Sequence, residues 1–349
     1  MRIAVWNTAF LGDAVLTLPL IQSLRLRFPE AKTDFYVRGG LEDLFRPHPA
    51  LSAVFGYAKN GRFPGGLVAQ ARRAAARRCD LWISAHGSFR SGLIAALAGA
   101  DERIGYAGPV WNKMLYTKTV DRRFGEMHEI DRLLELLRPL GDGPRVDWPE
   151  IALDPVSARK ARECFSRLPG PVLGIHPGSV WATKRWPEEY YAEVGARALA
   201  HGASLLLFAG KGEEAVSRSV RAMIADKPDG RAAEKQGRLH DFGGRLSLPD
   251  LAAFLGRLSC YLGNDSGPMH LAWAQRRPVT AVFGPTVEKL GFFPRGKDAS
   301  VIEKDLACRP CGLHGPTACP LRHHRCMRDI HPDEVWDDVR PKLLNERKA

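Results

Sequence analysis

The chain has 349 residues, 45% of them hydrophobic, with 51 Lys and Arg against 39 Asp and Glu and a formal net charge of +12. That much apolar surface excludes bulk disorder, and at roughly 100–200 residues per domain the length calls for two domains, each with its own core. No repeat period or low-complexity tract supports a solenoid or fibre, and the basic excess points to an acidic partner: nucleic acid, an anionic membrane face or a phosphorylated substrate.

In chain order, strand-like runs at 3–6, 34–37, 53–57, 81–85 and 103–106 alternate with helix-like segments near 14–28, 67–78, 90–97 and 127–137, the rhythm of parallel α/β architecture. The stretch 139–155 is dense in Pro, Gly and Asp and reads as a linker. The rhythm restarts with strands at 172–176, 204–209, 239–242, 260–263 and 279–283, separated by helices near 187–201, 213–225, 248–256 and 269–275. The expected domains are 1–145 and 146–330, the second including a cysteine-rich segment at 307–327, followed by a C-terminal helix over 331–349. A ligand is expected in the cleft between the halves, at the carboxyl ends of the strands. No run approaches the roughly 18–20 apolar residues of a membrane span, and the opening Arg2-Ile3-Ala4-Val5-Trp6 has none of the features of a signal peptide. A cytoplasmic location is therefore expected, where cysteines are reduced, metal-bound or buried.

Four loops carry side chains suited to chemistry. After the first strand, Asn7-Thr8-Ala9-Phe10-Leu11-Gly12-Asp13 leads into a helix; Asp13 is either a general base facing a substrate hydroxyl or a carboxylate spent on its own helix's amides. The loop lacks both the dinucleotide and the P-loop glycine patterns. His176-Pro177-Gly178-Ser179-Val180-Trp181-Ala182-Thr183-Lys184-Arg185-Trp186-Pro187 places hydroxyls and two cations before a helix, a cradle for a diphosphate or else a solvated basic turn lidded by Trp181 and Trp186. Glu213 and Glu214 open the helix after the next strand, where acids accept ribose hydroxyls or complement the helix dipole. Gly263-Asn264-Asp265-Ser266-Gly267-Pro268-Met269-His270 offers Asp265 to sugar hydroxyls and the amides of Ser266 and Gly267 to phosphate, or simply caps the next helix.

Cys308, Cys311, Cys319 and Cys326, interleaved with His314, His323 and His324, have a spacing open to a structural zinc, to local packing or to redox-sensitive thiols. Cys79, Cys164 and Cys260 stand in apolar surroundings and read as core residues.

Together these loops resemble family 9 of the glycosyltransferases, the heptosyltransferases. The resemblance spans nearly the whole chain and rests on the opening M-R-I-A-V-W-N-T-A-F-L-G-D-A-V-L-T-L-P-L, on H-P-G-S-V-W-A-T-K-R-W-P, on L-F-A-G-K-G-E-E, and on N-D-S-G-P-M-H-L-A-W-A followed by V-F-G-P-T. It implies a GT-B fold, two Rossmann-like domains facing across a cleft, with the acceptor mainly on the first and the nucleotide sugar mainly on the second. It also implies an inverting, metal-independent transfer of L-glycero-D-manno-heptose from ADP-heptose to the inner core of lipopolysaccharide. By position, Asp13 resembles the family's base, Lys184 the cation on the diphosphate, Glu213 or Glu214 the ribose acceptor, Asp265 the residue holding the heptose, and Leu246 the one whose backbone meets adenine. Ser179, Thr183, Ser266, Gly267 and His270 complete the implied donor set.

The wording W-A-T-K-R-W-P resembles the second-heptose branch more than the first, which implies a heptosyl-Kdo-lipid A acceptor. Arg62, Arg90 and Arg122 are the expected acceptor contacts. A phosphorylated lipid headgroup at the inner-membrane face would attract these and Arg72, Arg73, Arg77, Arg78 and Arg123, unless they form a solvated basic face. No cofactor is expected for catalysis. Other readings are a GT-B transferase or epimerase with a different nucleotide sugar and, from another class, a nucleic-acid binder. Against the last, the basic residues are not interleaved with aromatics in any known recognition module, so no nucleic-acid partner is expected.

Overall fold

Residues Ile3 to Asn7 are buried on both faces of their strand, the pattern of a parallel strand covered by helices on either side. A computed structural model of the chain describes residues 1–58 and 65–345. Arg62, an expected acceptor contact, lies outside the described residues. The chain divides into two units, Met1–Leu153 and Asp154–Ala349.

The first unit holds strands β1 (Arg2–Asn7), β2 (Lys32–Arg38), β3 (Ala53–Tyr57), β4 (Leu81–Ser84), β5 (Glu102–Tyr106) and β6 (Lys118–Val120). They form one parallel sheet in the order β3-β2-β1-β4-β5-β6. The second unit holds β7 (Val172–His176), β8 (Ser204–Leu207), β9 (Leu239–Asp241), β10 (Cys260–Asn264), β11 (Val279–Phe283) and β12 (Ala299–Glu303), again all parallel, in the order β12-β11-β10-β7-β8-β9. Counted from each unit's first strand, the two orders are the same. The chain reverses direction across the sheet between β1 and β4 and between β7 and β10, so the loops after these strands flank the switch points where α/β sheets bind ligands. These are Rossmann-like units of a GT-B fold.

The interior strands follow the expected runs closely. Three local differences have physical causes. The single helix expected at 14–28 is two, Leu11–Leu16 and Leu18–Arg27; Pro19 cannot donate into a preceding turn, and Thr17 uses its hydroxyl on the Asp13 carbonyl instead. Each sheet also has a sixth strand, β6 and β12, bonded to one neighbour only, and an edge strand need not carry the continuous apolar run that marks an interior one. A helix Pro155–Phe165, not among the expected ones, begins at the last residue of the linker stretch, with Asp154 accepting from the Ser157 amide at 2.8 Å as its N-cap.

Aromatic rings fill one side of the first sheet: Trp6 meets Trp82 at 5.6 Å and Tyr57 at 5.0 Å, and Tyr36 meets Trp82 at 5.3 Å between centroids. The fully buried Asp34 carboxylate receives Arg2 and Arg77, both at 3.0 Å. Arg77 is thus a structural ion-pair partner, while Arg72 and Arg73 are exposed. Of the cysteines expected in cores, Cys79 and Cys260 are buried and Cys164 is half-buried. No helix among the described residues is long and apolar enough to cross a membrane.

Trp82 is fully buried against these rings, so Trp82→Ala should cost about 3–5 kcal/mol of unfolding free energy through lost transfer and a residual cavity. Urea denaturation checks this, and a loss below about 1 kcal/mol would mean the cluster does not hold the sheet.

Candidate active site

At the carboxyl end of β1 the chain turns tightly into the helix Leu11–Leu16. The buried Asn7 side chain organises the corner: its amide donates to the Asp13 carbonyl at 3.2 Å and to the Thr17 hydroxyl at 2.8 Å, and its oxygen accepts from the Ala9 amide. Asp13 sits in the first helical turn, half-buried, with Oδ2 accepting from the Phe10 amide at 3.1 Å. Oδ2 therefore serves the helix start, the second of the two roles weighed for Asp13.

Nearby in the same unit is a buried cluster of opposite charges. Glu129 pairs with Arg132 at 2.6 Å and with Arg122 at 3.1 Å, and both guanidinium groups lie over the Phe124 ring. Burial pushes the Glu129 carboxyl up, the two arginines pull it down, and the Asp13 charge adds to the rise. Arg122 keeps about a third of its side chain in solvent, at 34%, so it is partly committed to Glu129 and partly available to an anion. Arg90 is half-buried in the first turn of the helix Phe89–Leu97.

The second unit gathers its polar groups more tightly. Asp265, just past β10, accepts from Lys184 Nζ at 2.5 Å and from the Thr286 hydroxyl at 2.6 Å. Burial alone would raise the Asp265 carboxyl; the Lys184 charge and the two hydrogen bonds outweigh it and leave it below the usual carboxylate range. His270 is buried beside the pair, and its Nδ1 has no hydrogen-bond partner among the described residues. Burial, with Lys184 adding to it and Asp265 opposing, brings its imidazole down to about 4. Desolvation offsets much of the Coulomb gain of such a pair, so its main effect is to fix the Lys184 ammonium in place.

Asn264, fully buried, ties the β7 loop to the end of β10. Its oxygen accepts from the Trp186 amide at 3.0 Å and the Tyr191 hydroxyl at 2.8 Å, while its nitrogen donates to the Pro177 carbonyl at 2.8 Å. Ser179 is buried and its carbonyl accepts from Arg185 Nε at 2.8 Å. Trp186 is no lid: it is buried in the core and donates to the Ile330 carbonyl at 2.9 Å.

The acidic pair divides. Glu213 lies beside Gly178 of the β7 loop, with Oε2 3.4 Å from the Gly210 amide, Oε1 buried and without a hydrogen bond among the described residues, and Arg185 at 4.0 Å. Glu214 folds back onto the Gly212 amide at 2.9 Å. Leu246 is half-buried in the turn after β9. Ser266 occupies the N-cap of the helix Gly267–Ala274, yet its hydroxyl makes no capping bond.

The cysteine-rich segment straps these loops. Thr183 donates its hydroxyl to the Pro316 carbonyl. The Thr183 carbonyl faces His324 Nε2 at 2.8 Å, and Trp181 stacks on His314. On the other side Arg309, 3% exposed, donates to the carbonyls of Gly284 and Lys304, to that of Thr286 at 2.6 Å and to Glu303 at 2.7 Å, while the Cys311 amide donates to Pro285. Cys308, Cys311, Cys319 and Cys326 are free thiols. Burial pushes the Cys311 thiol up, and Cys308 and Cys319 add to the rise. Among the described residues no group of three or more His, Cys, Asp or Glu side chains is placed to hold a metal ion.

Asn264, Thr286 and Arg309 had not been singled out. Thr286 closes V-F-G-P-T and Asn264 opens N-D-S-G-P-M-H, so both stand in motifs the sequence displays; nothing local marks Arg309.

Two parallel units of one strand order, with an anion-suited cradle at a switch point of the second, define a nucleotide-sugar class of α/β transferase. The family model described as glycosyltransferase family 9 (heptosyltransferase) matches residues 68–316, and the chain belongs to that family of glycosyltransferases. It is 23% identical to a lipooligosaccharide heptosyltransferase 2 of Campylobacter jejuni, covering 99% of both chains. It is 27% identical to a lipopolysaccharide heptosyltransferase 1 of Pseudomonas aeruginosa, over 96% of this chain and 92% of that one. The solved ADP-heptose lipopolysaccharide heptosyltransferase II of Escherichia coli superposes with a TM-score of 0.79 at 22% identity, covering 99% of each chain.

His270 should stay neutral from pH 8 down to about pH 5, since burial opposes its charge. Nitrogen-15 NMR of the imidazole checks this; a midpoint near the ordinary histidine value of about 6.5 would mean the ring is in water.

Proposed function

We propose that this chain transfers L-glycero-D-manno-heptose from ADP-heptose to the inner core of lipopolysaccharide, with heptosyl-Kdo-lipid A as acceptor. The observation that carries the reading is the Lys184–Asp265–Thr286 constellation at a switch point of the second unit, in a member of this family.

Lys184 and Arg185, with the amides at the start of the helix Gly267–Ala274, oppose the charge that gathers on the ADP leaving group. Lys184 would then bridge the diphosphate and Asp265. Asp265, kept ionised, accepts from heptose hydroxyls, and neutral His270 donates or accepts a hydrogen bond beside it. Glu213, whose Oε1 is unsatisfied, takes the ribose hydroxyls; Ser179 and the main chain at Leu246 complete the donor contacts. Asp13 removes the proton from the acceptor hydroxyl, and Arg90 and Arg122 hold acceptor anions. Displacement of the anomeric carbon–phosphate oxygen bond on the face opposite the incoming hydroxyl inverts that carbon.

The acceptor is a phosphorylated lipid, so the reading includes peripheral contact with the anionic inner face of the membrane. Nucleic acid has no part in it. A structural zinc on Cys308, Cys311, Cys319 and Cys326 belongs to it only with local movement of the segment, since no three of these side chains are grouped to hold an ion among the described residues.

In a transfer assay with ADP-heptose and truncated core acceptors, Asp13→Asn should lower turnover by about 10²–10⁴-fold and leave ADP affinity unchanged, whereas Lys184→Ala should weaken ADP binding. Unchanged turnover in the first variant removes Asp13 from the reaction; stabilisation by a UDP sugar and not by the ADP form overturns the donor. Metal analysis should find about one zinc per chain, released by a chelator with a fall in melting temperature, and a metal-free chain of unchanged melting temperature removes the zinc.

A further inference from the structure

Between β5 and β6 the first unit carries a short helix, Trp111–Leu115, whose two sides have opposite character. From beneath it is fixed to the domain: the buried Asn112 amide donates to the Tyr106 carbonyl at 2.9 Å, and Leu115 packs against the aromatic core. On the outside Val110 and Met114 are each 79% exposed, Trp111 is 42% exposed, and Phe89 from the neighbouring helix, 51% exposed, meets the Trp111 ring edge-on at 5.7 Å.

Four large apolar side chains held outward on a rigid base need a reason. The charges around them are one-sided. Arg90 and Lys113 flank the cluster, and from Ala85 to Val120 the only carboxylates are Asp101 and Glu102, which sit at the amino end of β5 while the cluster follows its carboxyl end. The cluster thus shares with Asp13 the carboxyl edge of the first sheet.

We propose that Phe89, Val110, Trp111 and Met114 form a wedge that enters the interfacial layer of an anionic bilayer, with Lys113 and Arg90 at headgroup level. A tryptophan with a polar edge beside two flexible or branched aliphatic chains suits the boundary between headgroups and acyl chains. Four side chains fall far short of the roughly 20–30 residues per side of a stable protein interface, whereas an interfacial anchor needs only a small apolar face and nearby cations. This deepens the proposed function by giving the lipid-borne acceptor's surface a docking site, but the wedge acts on lipid alone.

Its test therefore contains neither donor nor acceptor. The full chain is co-sedimented with vesicles of phosphatidylcholine, with and without phosphatidylglycerol. Binding should be about tenfold stronger with the anionic lipid, and Val110→Asp or the pair Trp111→Ser and Met114→Ser should each lower it by about tenfold or more. Val110 touches solvent on most of its surface, so that variant folds even where loss of the Trp111–Phe89 contact harms the other. Melting temperature and transfer to a soluble truncated acceptor should be unchanged in Val110→Asp. Vesicle binding that survives both variants overturns the wedge. So does a Val110→Asp variant that turns a dimer into a monomer, because the surface would then belong to a second copy. Loss of transfer in the wild type would sink the proposed function and leave the vesicle result standing.

Discussion

One buried carboxylate organises the second unit. Asp265 belongs to the loop after β10, Lys184 to the loop after β7 and Thr286 to the turn after β11, and all three meet at the Asp265 oxygens. Each loop alone would be a short irregular segment on a sheet edge. Joined through a desolvated charge, they hold an ammonium and a carboxylate in fixed positions, and removing one partner would strand the other without water. The lowered pKa of His270 follows from the same place, because burial outweighs the Asp265 charge that favours the charged ring, and Lys184 acts with burial.

The two units show how one topology takes on two chemistries. Both sheets put their first βα loop at a switch point. In the first unit that loop is short, and Asn7 folds it onto itself so that the helix starts within a few residues and offers a carboxylate. In the second, the loop after β7 is long enough to carry Lys184 and Arg185 and is tied down by Asn264. Loop length and charge, not strand order, separate the two corners.

Most of the fold was legible because interior parallel strands need apolar residues on both faces, a pattern a single sequence displays. The edge strands β6 and β12 lack that pattern and were missed. At the site, Asp13, Lys184 and Asp265 could be picked out because their type alone suggests chemistry, and the structure brings Lys184 and Asp265 together. Glu213 and Glu214 stand at one helix start, and that they bond different amides, those of Gly210 and Gly212, depends on the backbone turn and not on residue type. Arg309 was beyond sequence reasoning, and the bonding of Asn264 was too although its motif was visible, because most of their partners are main-chain groups, which no residue type advertises. The Thr183 hydroxyl, expected at the donor, is instead given to Pro316.

Arg309 has a consequence for how the second unit can vary. Its guanidinium holds the turn after β11 chiefly through peptide carbonyls, and every amino acid supplies that oxygen. Side chains along this turn can therefore change while the grip on the turn stays, so surface chemistry and rigidity in this corner are free to evolve separately.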